Sequence, residues 1–176
     1  MSYSIVYSSR TGNTKILADA ILDMFGNDSC VYFGPASREA LKADVIYVGF
    51  WTDKSRCDKE TRRFLRSLKK KRIFLFGTAG SGSNKEYCKR IIHNTMRYLD
   101  KSVKVSGVYM CQGRMPMTVR KKYMLKKKKF FHAPGVDKRI ENFDRALVHP
   151  NLKDLRRLQK VIRRHRKLSE LSEINK

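Results

Sequence analysis

Six consecutive residues, Ser9-Arg10-Thr11-Gly12-Asn13-Thr14, bring together three hydroxyls, a guanidinium, a primary amide and a glycine. They stand between a short apolar run, Tyr3 to Ser8, and a segment of helical periodicity. A phosphate monoester in that place would meet the hydroxyls of Ser9, Thr11 and Thr14, the Asn13 amide and the free N–H groups of a helix start. The helix dipole adds a further favourable term for an anion. Gly12 permits a backbone approach that a Cβ would obstruct. The chemistry on offer is anion binding. No carboxylate pair, Ser-His-Asp order or Cys-His couple has a context that supports catalysis. The cysteines, Cys30, Cys57, Cys88 and Cys111, form no CxxC, and His93, His132, His149 and His165 are scattered. Nothing in that pattern reads as a metal site.

The elements that must position this loop can be read from hydropathy and turn chemistry. Tyr3–Ser8, Cys30–Phe33, Val45–Phe50, Ile73–Phe76 and Val103–Cys111 are short apolar runs and are predicted to be buried strands. Leu17, Ala20, Ile21 and Met24 recur at helical spacing, and Gly26-Asn27-Asp28 ends that helix. Cys57, Thr61, Phe64, Leu65 and Leu68 predict a second helical face. Ser83 and Glu86 have capping-box spacing ahead of a third helix, which buries Cys88, Ile91, Ile92, Thr95 and Leu99. Strands alternating with helices imply a parallel sheet, covered on both faces and wound by right-handed crossovers. Past Cys111 the pattern changes. Met115–Lys129 is weakly helical and broken by Ala133-Pro134-Gly135. Asp137–Val148 is predicted to be a helix buried through Ile140, Phe143 and Leu147. Asn151 can cap a last helix that aligns Leu155, Leu158 and Ile162 against a basic side.

The chain has 176 residues with 41% hydrophobic content, enough for one packed domain, residues 1–176, with 112–176 as a basic C-terminal elaboration. Its formal net charge is +24, of which +8 lies in residues 1–100 and +16 in residues 101–176. Such a field attracts acidic partners, nucleic acid or anionic lipid. The runs 69–72 and 126–129 read as solvated faces or as docking surfaces, since no RNA-binding or zinc-finger motif accompanies them. No apolar run is long enough to span a bilayer, and the amino terminus has no signal-peptide pattern. With sparse cysteines, the expected compartment is the reducing cytoplasm.

The segment Ile5 to Ile21 (IVYSSRTGNTKILADAI) closely resembles the phosphate-binding loop of flavodoxins, with its S/T-x-T-G-x-T pattern. Gly49-Phe50-Trp51-Thr52-Asp53 and Gly77-Thr78-Ala79-Gly80-Ser81-Gly82 match, in position and kind, the two flavodoxin loops that hold a flavin ring. The resemblance implies a doubly wound five-stranded sheet of order 2-1-3-4-5 and one non-covalent FMN. It implies that Ser9, Arg10, Thr11, Gly12, Asn13 and Thr14 bind the phosphate, and that Phe50, Trp51, Thr52, Asp53, Thr78, Ala79, Gly80, Ser81 and Gly82 flank the ring. A backbone group of Trp51–Asp53 would face flavin N5. Trp51 either stacks on the flavin or packs at the rim. Cys57 is either redox-sensitive or a small buried residue. The segments 112–117 and 142–151 resemble those of small flavodoxin-family proteins found beside bilirubin reductase. Met115 and Met117 there are either a greasy edge near the flavin or gap-fillers.

The function implied is electron transfer to a partner reductase, with a bilin reductase as the narrower expectation. An NAD(P)H-dependent FMN reductase acting on a small acceptor is the alternative, and a cofactor-free basic scaffold is a second one. Flavodoxins are typically acidic, so the +24 charge is a departure. It predicts a redox partner with an acidic docking surface, and no DNA or RNA. Arg10, Lys54 and Arg56 near the ring are expected to favour the reduced, anionic flavin by about 1 kcal/mol per close charge.

Overall fold

A computed structural model describes residues 1–82, 84–129 and 134–174. Strand β1 (Tyr3–Tyr7) leads into helix α1 (Asn13–Phe25), then β2 (Cys30–Gly34), a 3-10 turn (Glu39–Lys42), β3 (Val45–Asp53), a two-residue strand β4 (Arg56–Cys57) and α2 (Lys59–Ser67). There follow β5 (Arg72–Ala79), α3 (Lys85–Met96), β6 (Lys104–Gln112), α4 (Met117–Lys129), α5 (Val136–Ala146) and α6 (Leu152–Ile174). The five long strands pair in parallel in the order β2-β1-β3-β5-β6, and β4 adds antiparallel to the end of β3. This is the expected doubly wound order, with one short strand more.

Strand alternation sorts the core into two layers. Ile5, Tyr47, Phe74, Phe76 and Tyr109 face α1, through Leu17, Ala18 and Ile21, and α6, through Leu158 and Ile162. Val6, Ile46, Val48, Phe50, Ile73 and Leu75 face α2, through Phe64 and Leu65, and α3, through Ile91. The helical spacing of Leu155, Leu158 and Ile162 thus docks α6 beside α1, and Asn151 Oδ1 accepts from the N–H groups of Lys153 and Asp154 to start it. The stop after α1 is also as read: Gly26, at φ 76°, donates its N–H to the Leu22 carbonyl.

Several boundaries differ, each for a physical reason. β3 runs on to Asp53 and β5 to Ala79, past the apolar runs that predicted them, because Gly77, Thr78 and Ala79 keep partners on β6 and Trp51 pairs with Thr78. The segments expected as loops are therefore strand ends held in register. Cys57 belongs to β4, not to a helix. Asp58 caps α2, its carboxylate accepting from the N–H groups of Glu60 and Thr61 and from the Thr61 hydroxyl. The expected cap Ser83 lies outside the described residues; Asn84 Oδ1 accepts from Glu86 N–H and Tyr87 N–H at the start of α3. On α5 the buried residues are Val136, Phe143 and Ala146, and Leu147 stays exposed.

Candidate functional site

In an open parallel sheet, ligands bind beyond the carboxyl ends of the strands where the connections diverge. Here that point lies between β1 and β3, and the Ser9–Thr14 loop crosses it. Gly12 has φ 80°, a conformation that favours glycine, and it turns the chain into α1. The Ile16 N–H reaches back to the Gly12 carbonyl, and the Lys15 N–H to Ser9 Oγ. The N–H groups of residues 10–14 have no acceptor among the described residues. Five donors in sequence at a helix start make an anion site with the dipole behind it.

The side chains of the loop divide into two roles. Thr14 is fully buried, and its hydroxyl meets the Thr78 hydroxyl at 3.1 Å, which ties the loop to the end of β5. Asn13 is buried as well. Its Nδ2 donates to Thr11 Oγ1 and to the Arg114 carbonyl, each at 2.8 Å. Ser9 Oγ accepts from Lys15 N–H at the start of α1, and Thr11 Oγ1 accepts from Asn13 while its hydroxyl makes a long, 3.5 Å contact with the Arg114 carbonyl. The buried Asn13 Oδ1 and Thr52 Oγ1 have no hydrogen-bond partner among the described residues. Such atoms are costly to bury unless something else meets them.

Beside the loop lies a cleft of about 290 Å³. Arg10, Thr11, Asn13, Trp51, Thr52, Thr78 and Gly80 all line it, so three segments far apart in sequence converge there. The Arg10 guanidinium sits 5.5 Å from the centroid of the half-buried Trp51 ring. Phe50 points the other way and is fully buried against the α2–α3 layer. Ala79 is buried, its carbonyl accepting from Gly113 N–H. Ser81 and Gly82 line a separate cleft with Asn84, Gln112, Asn142 and His149.

Of the fourth wall, the sequence pointed only to Met115, as a greasy edge or a gap-filler. Gly113, Arg114, Met115 and Pro116, together with Thr118, Val119 and Lys122 of α4, close the cleft. A Cβ on Gly113 would fall 2.7 Å from Asn13 Nδ2, so only glycine lets this segment approach the phosphate loop so closely. Met115 lies directly against Gly80, whereas Met117 is exposed. Asn142, from α5, donates to the Gly80 carbonyl at 2.9 Å and accepts from Gln112 at 3.2 Å. The signal in the sequence was the Gly113…Pro116 punctuation after an apolar strand, at the same sheet end as the other loops.

Cys57 resolves as a fully buried residue, and burial pushes its thiol up to about 11. Burial likewise raises the Cys111 thiol. Among the described residues no cluster of His, Cys, Asp and Glu could hold a metal ion.

The fold and this site define a flavodoxin-type protein, and the chain belongs to the flavodoxin family: the profile described as Flavodoxin domain matches residues 4–163. It is 36% identical to the flavodoxin-like domain-containing protein BilS of Clostridium symbiosum (strain WAL-14163), over 90% of this chain and 93% of that one. It is 27% identical to the BilS protein of Clostridioides difficile (strain CD3), over 88% and 90% of the two chains. Among solved structures, the flavodoxin of Streptococcus pneumonia TIGR4 superposes with a TM-score of 0.50 at 16% identity, covering 82% of this chain and 99% of that one.

Proposed function

We propose that this protein binds FMN and carries electrons to a partner reductase. The observation that supports this best is the row of five backbone N–H groups, residues 10–14, without acceptors among the described residues at the start of α1. In this reading those donors, with the Ser9 and Thr11 hydroxyls, hold the FMN phosphate. Asn13 and Thr14 keep the cradle in shape through Arg114 and Thr78. Asn13 Oδ1 and Thr52 Oγ1, without partners among the described residues, are acceptors, and Thr52 also a donor, for the rest of the cofactor. Trp51 offers its ring to the flavin, and the backbone of Trp51–Asp53 offers a group toward N5. Gly80, with Thr78 and Ala79 behind it and Ser81 and Gly82 beyond, forms the opposite side. Bound FMN would supply the redox chemistry, one or two electrons at a time. The chain supplies anchoring, stacking and a fixed positive charge.

The net charge of +24 supports a partner with an acidic docking surface. Similarity to two proteins named BilS, with the resemblance of segments 112–117 and 142–151, supports a bilin reductase as that partner. Residues 1–176 are read as one unit with a basic elaboration over 112–176. The reducing cytoplasm is the compartment that fits four cysteines without a disulfide among the described residues. No helix of the described residues is long and apolar enough to cross a membrane.

The test is a visible spectrum of the purified chain titrated with FMN, followed by addition of NADPH without a reductase. One FMN per chain and no direct NADPH oxidation is the expected result. Failure to take up FMN overturns the reading, and direct NADPH oxidation replaces it with that of a flavin reductase.

A further inference from the structure

The β3–β4 hairpin has two sides. One side, Trp51 and Thr52, walls the cleft described above. The other side opens on a second pocket of about 460 Å³, lined by Lys54, Arg56, Arg66, Asn94, Arg97 and Tyr98. Four of those six side chains are cations. No salt bridge involves any of the four among the described residues, and the buried Arg56 Nε has no hydrogen-bond partner there. Arg56 Nη1 donates to the Tyr98 hydroxyl at 3.2 Å, and Arg62 and Arg66 stack on the Tyr98 ring at 5.8 and 5.0 Å. Desolvation alone would raise the Tyr98 phenol, but Arg62 and Arg56 together outweigh it and hold the phenol below its ordinary range.

The hairpin tip is built to bring charge here. Lys54 (φ 47°) and Ser55 (φ 61°) occupy left-handed positions that a two-residue hairpin turn ordinarily fills with Asn-Gly. Keeping a lysine there is a strained choice, and strain of this kind gathers at binding sites. Asn94 donates to the Ser55 carbonyl at 2.9 Å, and Thr95 accepts from Cys57 N–H, so α3 fixes the turn from below. A group bound in this pocket therefore rests on the hairpin whose first strand, β3, walls the cleft through Trp51 and Thr52.

We infer that the Lys54–Arg56–Arg66–Arg97 pocket receives an acidic side chain of the protein partner. This deepens the electron-carrier reading and rests on it for the existence of a partner. A planar carboxylate matches guanidinium forks in pairs, and the open, polar mouth admits a side chain from a protein surface. Seated there, the carboxylate neutralises the pocket and pins the hairpin, which puts the partner's surface next to the cleft edge.

The test uses the full-length, isotope-labelled chain and hexaglutamate as the probe, followed by amide NMR signals. Inorganic phosphate and phosphatidylglycerol vesicles are run as parallel arms, and FMN uptake is measured on the same sample. Saturable shifts confined to Ser55, Arg56, Asn94 and Tyr98 are expected. Arg66→Gln with Arg97→Gln should weaken hexaglutamate at least tenfold, and Lys126→Gln with Lys128→Gln less than twofold. Arg97→Gln alone, at an exposed residue beyond α3, serves if the double variant does not fold. Shifts spread over α4 and α6, equal losses from both double variants, phosphate binding as tightly as hexaglutamate, or binding to vesicles alone each overturn the inference. If hexaglutamate titrates the pocket and FMN does not bind, the pocket stands and the electron-carrier reading falls; if FMN binds and the signals stay still, the reverse holds.

Discussion

At the scale of single residues, hydroxyls and thiols carry the account. Cys57 and Cys111 are buried with raised thiol values, so both stay protonated at neutral pH, while Cys30 and Cys88 are half-buried. A thiol reagent at pH 8 should label at most two of the four cysteines in the native chain and all four in denaturant. Gly113→Ala should loosen FMN binding about tenfold or more, because its Cβ meets the Asn13 amide at 2.7 Å and must push the two loops apart. Isothermal titration reads that directly. The phosphate loop was legible because its chemistry is local: hydroxyls, an amide and a glycine within six residues. The division of labour inside it was not. Asn13 and Thr14 lean on Arg114 and Thr78, which lie more than 60 residues away in the chain, and no local pattern announces such partners.

At the scale of elements, the hairpin after β3 is where periodicity misled. Trp51, Thr52 and Asp53 carry no apolar run, so the strand was expected to stop at Phe50, yet pairing with β4 and β5 continues it. A strained tip follows from that pairing. Ser55→Gly relieves a φ of 61° and should stabilise the fold by about 0.5–1 kcal/mol, a melting shift of about 1–4 °C for a chain of this size. Asp58→Ala removes the cap of α2 and should cost about 1–2 kcal/mol by denaturant unfolding. The lysine run 69–72 is another element-scale lesson. It reads as a solvated face, but Lys71 Nζ donates to the carbonyls of Leu41 and Ala43 and so ties β5 to the 3-10 turn. The run 126–129 does behave as a solvated face, with Lys127 paired to Asp137 at 2.6 Å. Near the amino terminus, Ser2 N–H and hydroxyl donate to Asp44, which holds that carboxyl below its ordinary value. A lowered native value adds stability above the unfolded value, and that contribution disappears as pH falls through the native one. Asp44→Asn should therefore flatten the acid limb of the stability profile.

On the scale of the whole molecule, the parallel sheet was legible from short apolar runs alternating with helical spacing, and its strand order followed from the resemblance to flavodoxins. Which strand residues face which layer was not read, because continuous apolar runs hide the alternation. The C-terminal helices were less legible than the sheet: α4 buries nothing, and its place at the cleft depends on Gly113 and on the Arg120–Asp144 pair with α5, at 2.9 Å. Charge is the property that belongs to this scale. With +24 overall and Arg10 beside Trp51, the second electron should enter bound FMN at a less negative potential than in acidic flavodoxins. Arg10→Gln should lower that potential by roughly 40 mV, the equivalent of about 1 kcal/mol for one close charge. Spectroelectrochemical titration measures both. All of this depends on the cradle at the start of α1 holding a phosphate. FMN titration of the native chain and of the Thr11→Ala, Thr14→Ala double variant tests it most directly, with circular dichroism confirming that the variant is folded. The account predicts stoichiometric, tight binding by the native chain and a loss of about 100-fold or more in the variant; equal affinity in the two would contradict it.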